Sequence, residues 1–272
     1  MVTSSRYMEK RKGFFNRKRI MQTKNQQIYG ARAVIEAIES GKNIDKIWID
    51  RKKNNPLIKE VIYVAQKNHI PLQFVPEEKF FPFNGKNHQG VLAKLSLIEY
   101  QSLDNILFDT FNKGSVPLIL ALDGITDVRN FGAIARTAVS AGVHAIVIED
   151  KGSAEINNDA IKTSAGALMH IPVCREKSLL NALKNMQLHG LQVIAATEKG
   201  NTSVYKTNMN LPIVVVMGSE QKGISPSILK ISDFLCQIPI IGTIASLNVS
   251  VATGVILFEC LRQRLAAQDT YY

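Results

Sequence analysis

Apolar positions recur along this chain in two alternating periods. In residues 30–40, Val34, Ile35 and Ile38 fall on one side of a 3.6-residue repeat and Gly41 follows, which predicts a helix with a glycine stop. Residues 46–50 (KIWID) read as a short strand. Residues 56–68 read as a second helix, opened by Pro56, with Ile58, Val61, Ile62 and Ala65 on one face. A strand over 72–75, a short helix over 77–81 and a strand over 90–95 complete a small α/β unit. Residues 97–116 act as a connector with a short helix over 103–108.

The second half opens on a buried strand, 117–122 (PLILAL), followed by a helix over 131–141 and a strand over 144–148. Helices over 158–164 and 178–188 precede strands over 192–196 and 213–217. A short helix over 225–231, a strand over 234–238 and a long helix over 248–264 close the pattern. Apolar strands alternating with helices predict a mostly parallel sheet covered on both faces.

Composition narrows the classes. A chain of 272 residues that is 46% apolar and 21% charged is a folded protein of one large or two modest domains. No apolar run approaches the ~18 residues of a membrane span. Three cysteines, 174, 236 and 260, are too few for a disulfide framework and fit a reducing compartment; no set of metal ligands is legible. The net charge of +10 is uneven: residues 1–20 hold seven cations against Glu9 alone. Such a segment reads as an arm for a polyanion, as a disordered tail or misassigned start before Met21, or as a transit peptide.

In open α/β sheets ligands bind beyond the carboxyl ends of the strands. Three of those ends are unusual. The first runs from Asp123 to Arg136, with Asn130 at an expected helix N-cap and Arg136 in an otherwise small and apolar helix. That Arg either meets a partner or is solvated. The second, after 213–217, reads Gly218-Ser219-Glu220-Gln221-Lys222-Gly223. The third runs from Ile238 through Pro239 and Gly242 to Ser246, Leu247 and Asn248, and Asn248 can cap the last helix. That helix begins with small and apolar residues on every side and must be buried against the sheet or another subunit. No G-x-G-x-x-G, P-loop or G-x-S-x-G is present, so the pocket is one of backbone and small residues, suited to an adenosine-containing cofactor.

Together these segments resemble the three motifs of the SpoU/TrmH group of RNA ribose 2′-O-methyltransferases: N-x-G-x-x-x-R at Asn130–Arg136, G-S-E-x-x-G at 218–223, and I-P-I-x-G-x-x-x-S-L-N-V-S at 238–250. Residues 162–167 (KTSAGA) are also similar to that group, and the Tyr29-Gly30 pair and His88-Gln-Gly-Val91 are similar to its branch acting on 23S rRNA. Val128 departs from the Pro of many members, which implies a change in loop stiffness rather than in activity.

The resemblance implies a fold: a SPOUT α/β knot, with a mostly parallel sheet and a deep trefoil knot, over 117–272. It implies a small L30e-like α/β RNA-binding domain over 25–96, a linker over 97–116 and a basic arm over 1–24. It implies S-adenosyl-L-methionine (AdoMet) as cofactor, touched by Thr197, Gly218, Ile238 and Leu247, and no metal. Catalysis would fall to Arg136, reaching from one subunit of a homodimer to its partner's cofactor, with Asn130, Glu220, Ser246 and Asn248 shaping the site and orienting the ribose. A guanidinium is a poor base, so Arg136 is expected to hold phosphate and stabilise alkoxide charge, with the proton acceptor left open. RNA contacts are expected from the arm, Arg32, Arg129 and Lys162. DNA lacks the reacting hydroxyl. The reaction implied is 2′-O-methylation of a guanosine in the 23S rRNA peptidyl-transferase P loop, in the cytoplasm. A tRNA ribose methyltransferase and a non-catalytic ribosome assembly factor are the alternatives.

Overall fold

The computed structural model describes residues 27–243 and 246–269, in two units that divide between Leu97 and Ile98. The expected basic arm lies outside the described residues.

The first unit is a four-stranded sheet in the order β1 (Gln27–Tyr29), β4 (Val91–Leu95), β2 (Ile44–Asp50), β3 (Leu72–Val75). β2 and β3 run parallel and the other pairs antiparallel. Helices α1 (Ala31–Glu39) and α2 (Pro56–Lys67) cover one face, burying Val34, Ile38, Ile58 and Val61 against Ile47, Ile49, Val91 and Ala93. The other face carries Tyr29, Leu92, Trp48 and Gln73 side by side across the four strands. It is covered by the segment Glu77–Phe83, a 3-10 helix rather than an α-helix because Pro82 interrupts it. Phe80 from that segment packs with Trp48, Val75 and Leu92.

The second unit begins with α3 (Leu103–Asn112). The short helix expected over 103–108 is present and runs on to Asn112, with Leu103 and Leu107 buried in the core. The sheet follows in the order β7-β6-β5-β10-β8-β11-β9, all parallel among the described residues. The strands are β5 (Leu118–Asp123), β6 (Ala145–Glu149), β7 (Val173–Glu176), β8 (Gln192–Ala196), β9 (Thr202–Ser203), β10 (Ile213–Gly218) and β11 (Phe234–Gln237). The chain winds outward from β5 to β7, then returns on the far side of β10, so the order reverses beside β10. That reversal is where such sheets open a ligand crevice. One face packs on α4 (Val128–Ser140) and α8 (Val249–Asp269), the other on α3, α6 (Leu179–Leu188) and α7 (Pro226–Ile231).

β1, of three residues, and β7 and β9 were not expected. β7 has only four residues, two of them charged, and β9 has two, so neither shows a periodic signal. The helix expected over 131–141 begins three residues earlier. Asp127, not Asn130, is its N-cap, its carboxylate accepting from the Asn130 backbone N–H at 2.7 Å. Val128 is therefore the first helical residue, the position a proline tolerates.

Candidate active site

β10 is buried along its length and ends at Gly218, where the chain folds back on itself. The Gly223 N–H donates to the Ser219 carbonyl at 2.8 Å, and the Lys222 N–H to Ser219 Oγ at 3.2 Å. A Cβ on Gly218 would lie 2.2 Å from the Gly223 carbonyl carbon, so only glycine fits. Asp123, at the end of β5, accepts from the Ser225 N–H at 2.6 Å and pins the loop's exit. The loop between β8 and β9 is equally tight: a Cβ on Gly200 would come within 2.6 Å of the Cys236 carbonyl carbon.

This turn brings Glu220 to the first turns of α4 and α8. Its Oε1 accepts from Asn130 Nδ2 at 3.2 Å, from Asn248 Nδ2, and from the Val249 N–H at 3.3 Å. Asn248 Nδ2 also donates to Asn130 Oδ1 at 3.1 Å. Asn248 Oδ1 accepts from the Ser250 N–H at 3.0 Å, so the expected capping of the last helix by Asn248 is observed. Three residues from three separate motifs thus form one hydrogen-bonded triangle.

Beside the triangle opens a pocket of about 460 Å³, within the range of small-molecule sites. Thr197, Gly218, Ile238 and Leu247 all line it, as do Glu220 and Ser246. Its floor and walls include Ala196, Met217, Val249, Ala252 and Ile256, and its polar edge Glu198, Lys199 and Lys222. The α8 walls were not anticipated individually, although the apolar start of that helix was the signal. Cys236 also lines the pocket, but burial pushes its thiol up to about 11, so no thiolate stands there at neutral pH. Burial raises Cys174 and Cys260 to about 12.

Arg136 is exposed on α4 and does not line the pocket. Six residues on from Asn130, it points about 240° further round the helix, away from the triangle. Arg129, seven residues back, lies near the same stripe and is exposed, as is Lys162 near the end of α5 (Asn158–Thr163). Arg32 is exposed on the first turn of α1. The glycine of the first motif has a packing role: a Cβ on Gly132 would meet Thr163 Cβ at 2.8 Å and the Ala160 carbonyl oxygen at 2.9 Å. The KTSAGA segment supplies the other half of that contact and then reverses, with Ala165 at φ 50° and Gly166 at φ 85°.

A parallel sheet with a ligand pocket at its strand-order reversal and three motif asparagine and glutamate residues joined at the rim defines a small-molecule-dependent enzyme domain. The SpoU rRNA Methylase family model matches residues 117–258, and the model for RNA 2′-O ribose methyltransferase substrate binding matches residues 27–101. The chain belongs to the SpoU family and is an RNA 2′-O-methyltransferase. It is 33% identical over 90% of its length to YacO of Bacillus subtilis, named for the TrmH family of tRNA/rRNA methyltransferases, and spans 98% of that protein. It is 35% identical over 88% of its length to the 23S rRNA (guanosine-2′-O-)-methyltransferase RlmB of Pseudomonas aeruginosa, spanning 97% of it. Its fold is similar to that of the SpoU methyltransferase AviRb from Streptomyces viridochromogenes in complex with AdoMet, with a TM-score of 0.55, 21% identity, and coverage of 90% and 93% of the two chains.

Proposed function

We propose that this enzyme methylates the ribose 2′-oxygen of a guanosine in the peptidyl-transferase P loop of 23S rRNA, using AdoMet, as a homodimer. The observation that carries the reading is the convergence of the three motifs on one rim, where Glu220 accepts from both Asn130 and Asn248 beside the pocket. The choice of rRNA guanosine rests on the similarity to the Pseudomonas protein over nearly its whole length.

The pocket suits AdoMet. Thr197, Gly218, Ile238 and Leu247 line it, and its apolar walls accommodate an adenine ring. Bound there, AdoMet supplies a methyl group made electrophilic by its sulfonium. The protein's work is to align the ribose and accept its proton. Glu220 Oε1 already takes three donors, so this carboxylate serves as a crosslink that fixes Asn130, Asn248 and the start of α8. Ser246 stands at the pocket edge to meet the ribose. Arg136 binds the target phosphate and stabilises the developing alkoxide of the reaction in the partner's pocket. Its direction away from its own pocket supports that arrangement, as does an exposed stripe on α8 at seven-residue spacing, Val251 (53%), Phe258 (49%) and Leu265 (50%). The deep trefoil knot implied by the family resemblance belongs to the same proposal.

The test is methyl transfer from radiolabelled AdoMet to 23S rRNA, 16S rRNA and tRNA, with nuclease mapping of the labelled ribose. Label on one P-loop guanosine is the expected result. Label on tRNA alone, an outcome open from the name of the Bacillus relative, overturns the substrate; absence of AdoMet binding overturns the cofactor.

A further inference from the structure

The face of the small sheet opposite α1 and α2 holds a second set of groups that the methyl-transfer chemistry does not use. Tyr29 ends β1 on that face and is 37% exposed. Its ring lies 6.0 Å from that of Phe83, tilted by 46°. The Lys86 ammonium stands 4.8 Å from the Tyr29 ring and 5.9 Å from the Phe83 ring. Further along, Lys79 sits 4.7 Å over the Trp48 ring, and Phe81 is half exposed.

These groups are held rather than floating. The 84–90 loop is tied back to the β1–α1 junction: the Ala31 N–H donates to Gln89 Oε1 at 3.1 Å, and the Gly30 N–H to the Val91 carbonyl at 3.0 Å. Gln89 takes φ 52°, which a side chain rarely adopts and which this tie enforces. Lys86 is thereby kept opposite Tyr29. Lys94 is paired with Asp45 at 3.5 Å and the acids Glu77 and Glu78 lie at the first turn of the covering segment, which leaves Lys86 as the cation beside Tyr29 and Phe83. The exposed Tyr29 ring and the half-buried Phe83 ring beside the Lys86 ammonium match a partner that has both a flat π face and a negative charge, which is an unpaired nucleotide. A duplex buries its bases and offers the rings nothing to stack on.

We propose that Tyr29 and Phe83, with Lys86, form a stacking site for an unpaired base of the RNA substrate, Lys86 serving the adjoining phosphate. The site rests on the reading of the chain as an RNA methyltransferase and deepens it by naming single-stranded nucleotides as what the small domain grips.

The experiment uses the full chain. Binding of a short single-stranded RNA and of a duplex of the same length is measured across a salt series, alongside methyl transfer to 23S rRNA. Tyr29→Ala is expected to weaken single-strand binding about ten-fold or more, leave duplex binding in place, and raise KM for rRNA with kcat retained. Tyr29→Phe, which keeps the ring, should restore binding. Lys86→Ala changes an exposed side chain and keeps the proposal testable if Tyr29→Ala misfolds; it should lower the salt slope of binding by about one. Unchanged single-strand affinity in both Tyr29→Ala and Lys86→Ala overturns the stacking site while wild-type methylation stands. A wild type that methylates no RNA overturns the underlying reading instead.

Discussion

Gly218 shows how far one hydrogen atom matters. Its backbone is pressed against Gly223 and Ile224, so Gly218→Ala must push the turn outward and carry Glu220 with it. The expected outcome is a loss of AdoMet affinity of at least ten-fold, measured by calorimetry, with the secondary-structure spectrum retained. Arg136 makes the opposite case. It is exposed, so Arg136→Ala should leave thermal stability unchanged within about 0.5 kcal/mol. Methyl transfer should fall about a hundred-fold or more, as when one transition-state donor is removed, while AdoMet binding stays intact. A variant retaining over a tenth of wild-type turnover would remove Arg136 from the chemistry. His144 adds a pH dependence. Burial, the largest cause, pulls its pKa below 6.5, and its neutral Nδ1 accepts from the Leu118 N–H at 3.1 Å. As pH falls past 6.5, the unfolded chain takes up this proton first. The contribution is therefore complete above that value and is lost toward the lower folded pKa. Glu176, raised from 4.5 by burial, pulls the other way at lower pH. Comparing wild type with His144→Asn isolates the histidine: the denaturation midpoint of the wild type should drop more steeply between about pH 7 and pH 5.

At the scale of elements, most strands and helices were legible because each carries a clean period or a flanking cap. Gln192–Ala196 and Leu72–Val75 fall where the alternation placed them. Ser178 caps α6 and Asn157 caps α5 through their side chains. Legibility failed where an element is too short for a period, as in β7 and β9, or where a nearer cap competes, as Asp127 does with Asn130. The pocket residues on loops were readable only through motif resemblance; those on α8 looked like any buried helix face. Arg264 was not singled out at all, because an arginine near the end of a long helix gives no local signal. Its guanidinium donates to the carbonyls of Met209 at 3.1 Å, Val116 at 2.7 Å, Pro117 at 2.9 Å and Leu211 at 3.0 Å. This clasp joins α8 to the segments that lead into β5 and β10. A lysine has the charge but not the planar fork, so Arg264→Lys should cost about 1–3 kcal/mol of stability in urea unfolding.

At the scale of the whole molecule, Val251, Phe258 and Leu265 form an exposed stripe on α8. In the proposed dimer it is covered, so Phe258→Glu is expected to give a monomer by light scattering. If Arg136 acts in the partner's pocket, that monomer should bind AdoMet and yet be inactive; an active monomer would show that each subunit is self-sufficient. The sheet is completed out of chain order, since β10 inserts beside β5 only after β6, β7 and β8 have been made. The pocket is completed later still, because Val249, Ala252 and Ile256 come from α8, the last described element. Arg264 then locks that helix to the approach to β5, some 150 residues upstream. A ribosome still holding α8 in its exit tunnel would therefore carry a nascent chain with its small N-terminal sheet already formed and its pocket missing a wall. If the small domain grips RNA and the pocket holds AdoMet as proposed, such a chain touches substrate without modifying it, and activity waits until synthesis has passed α8.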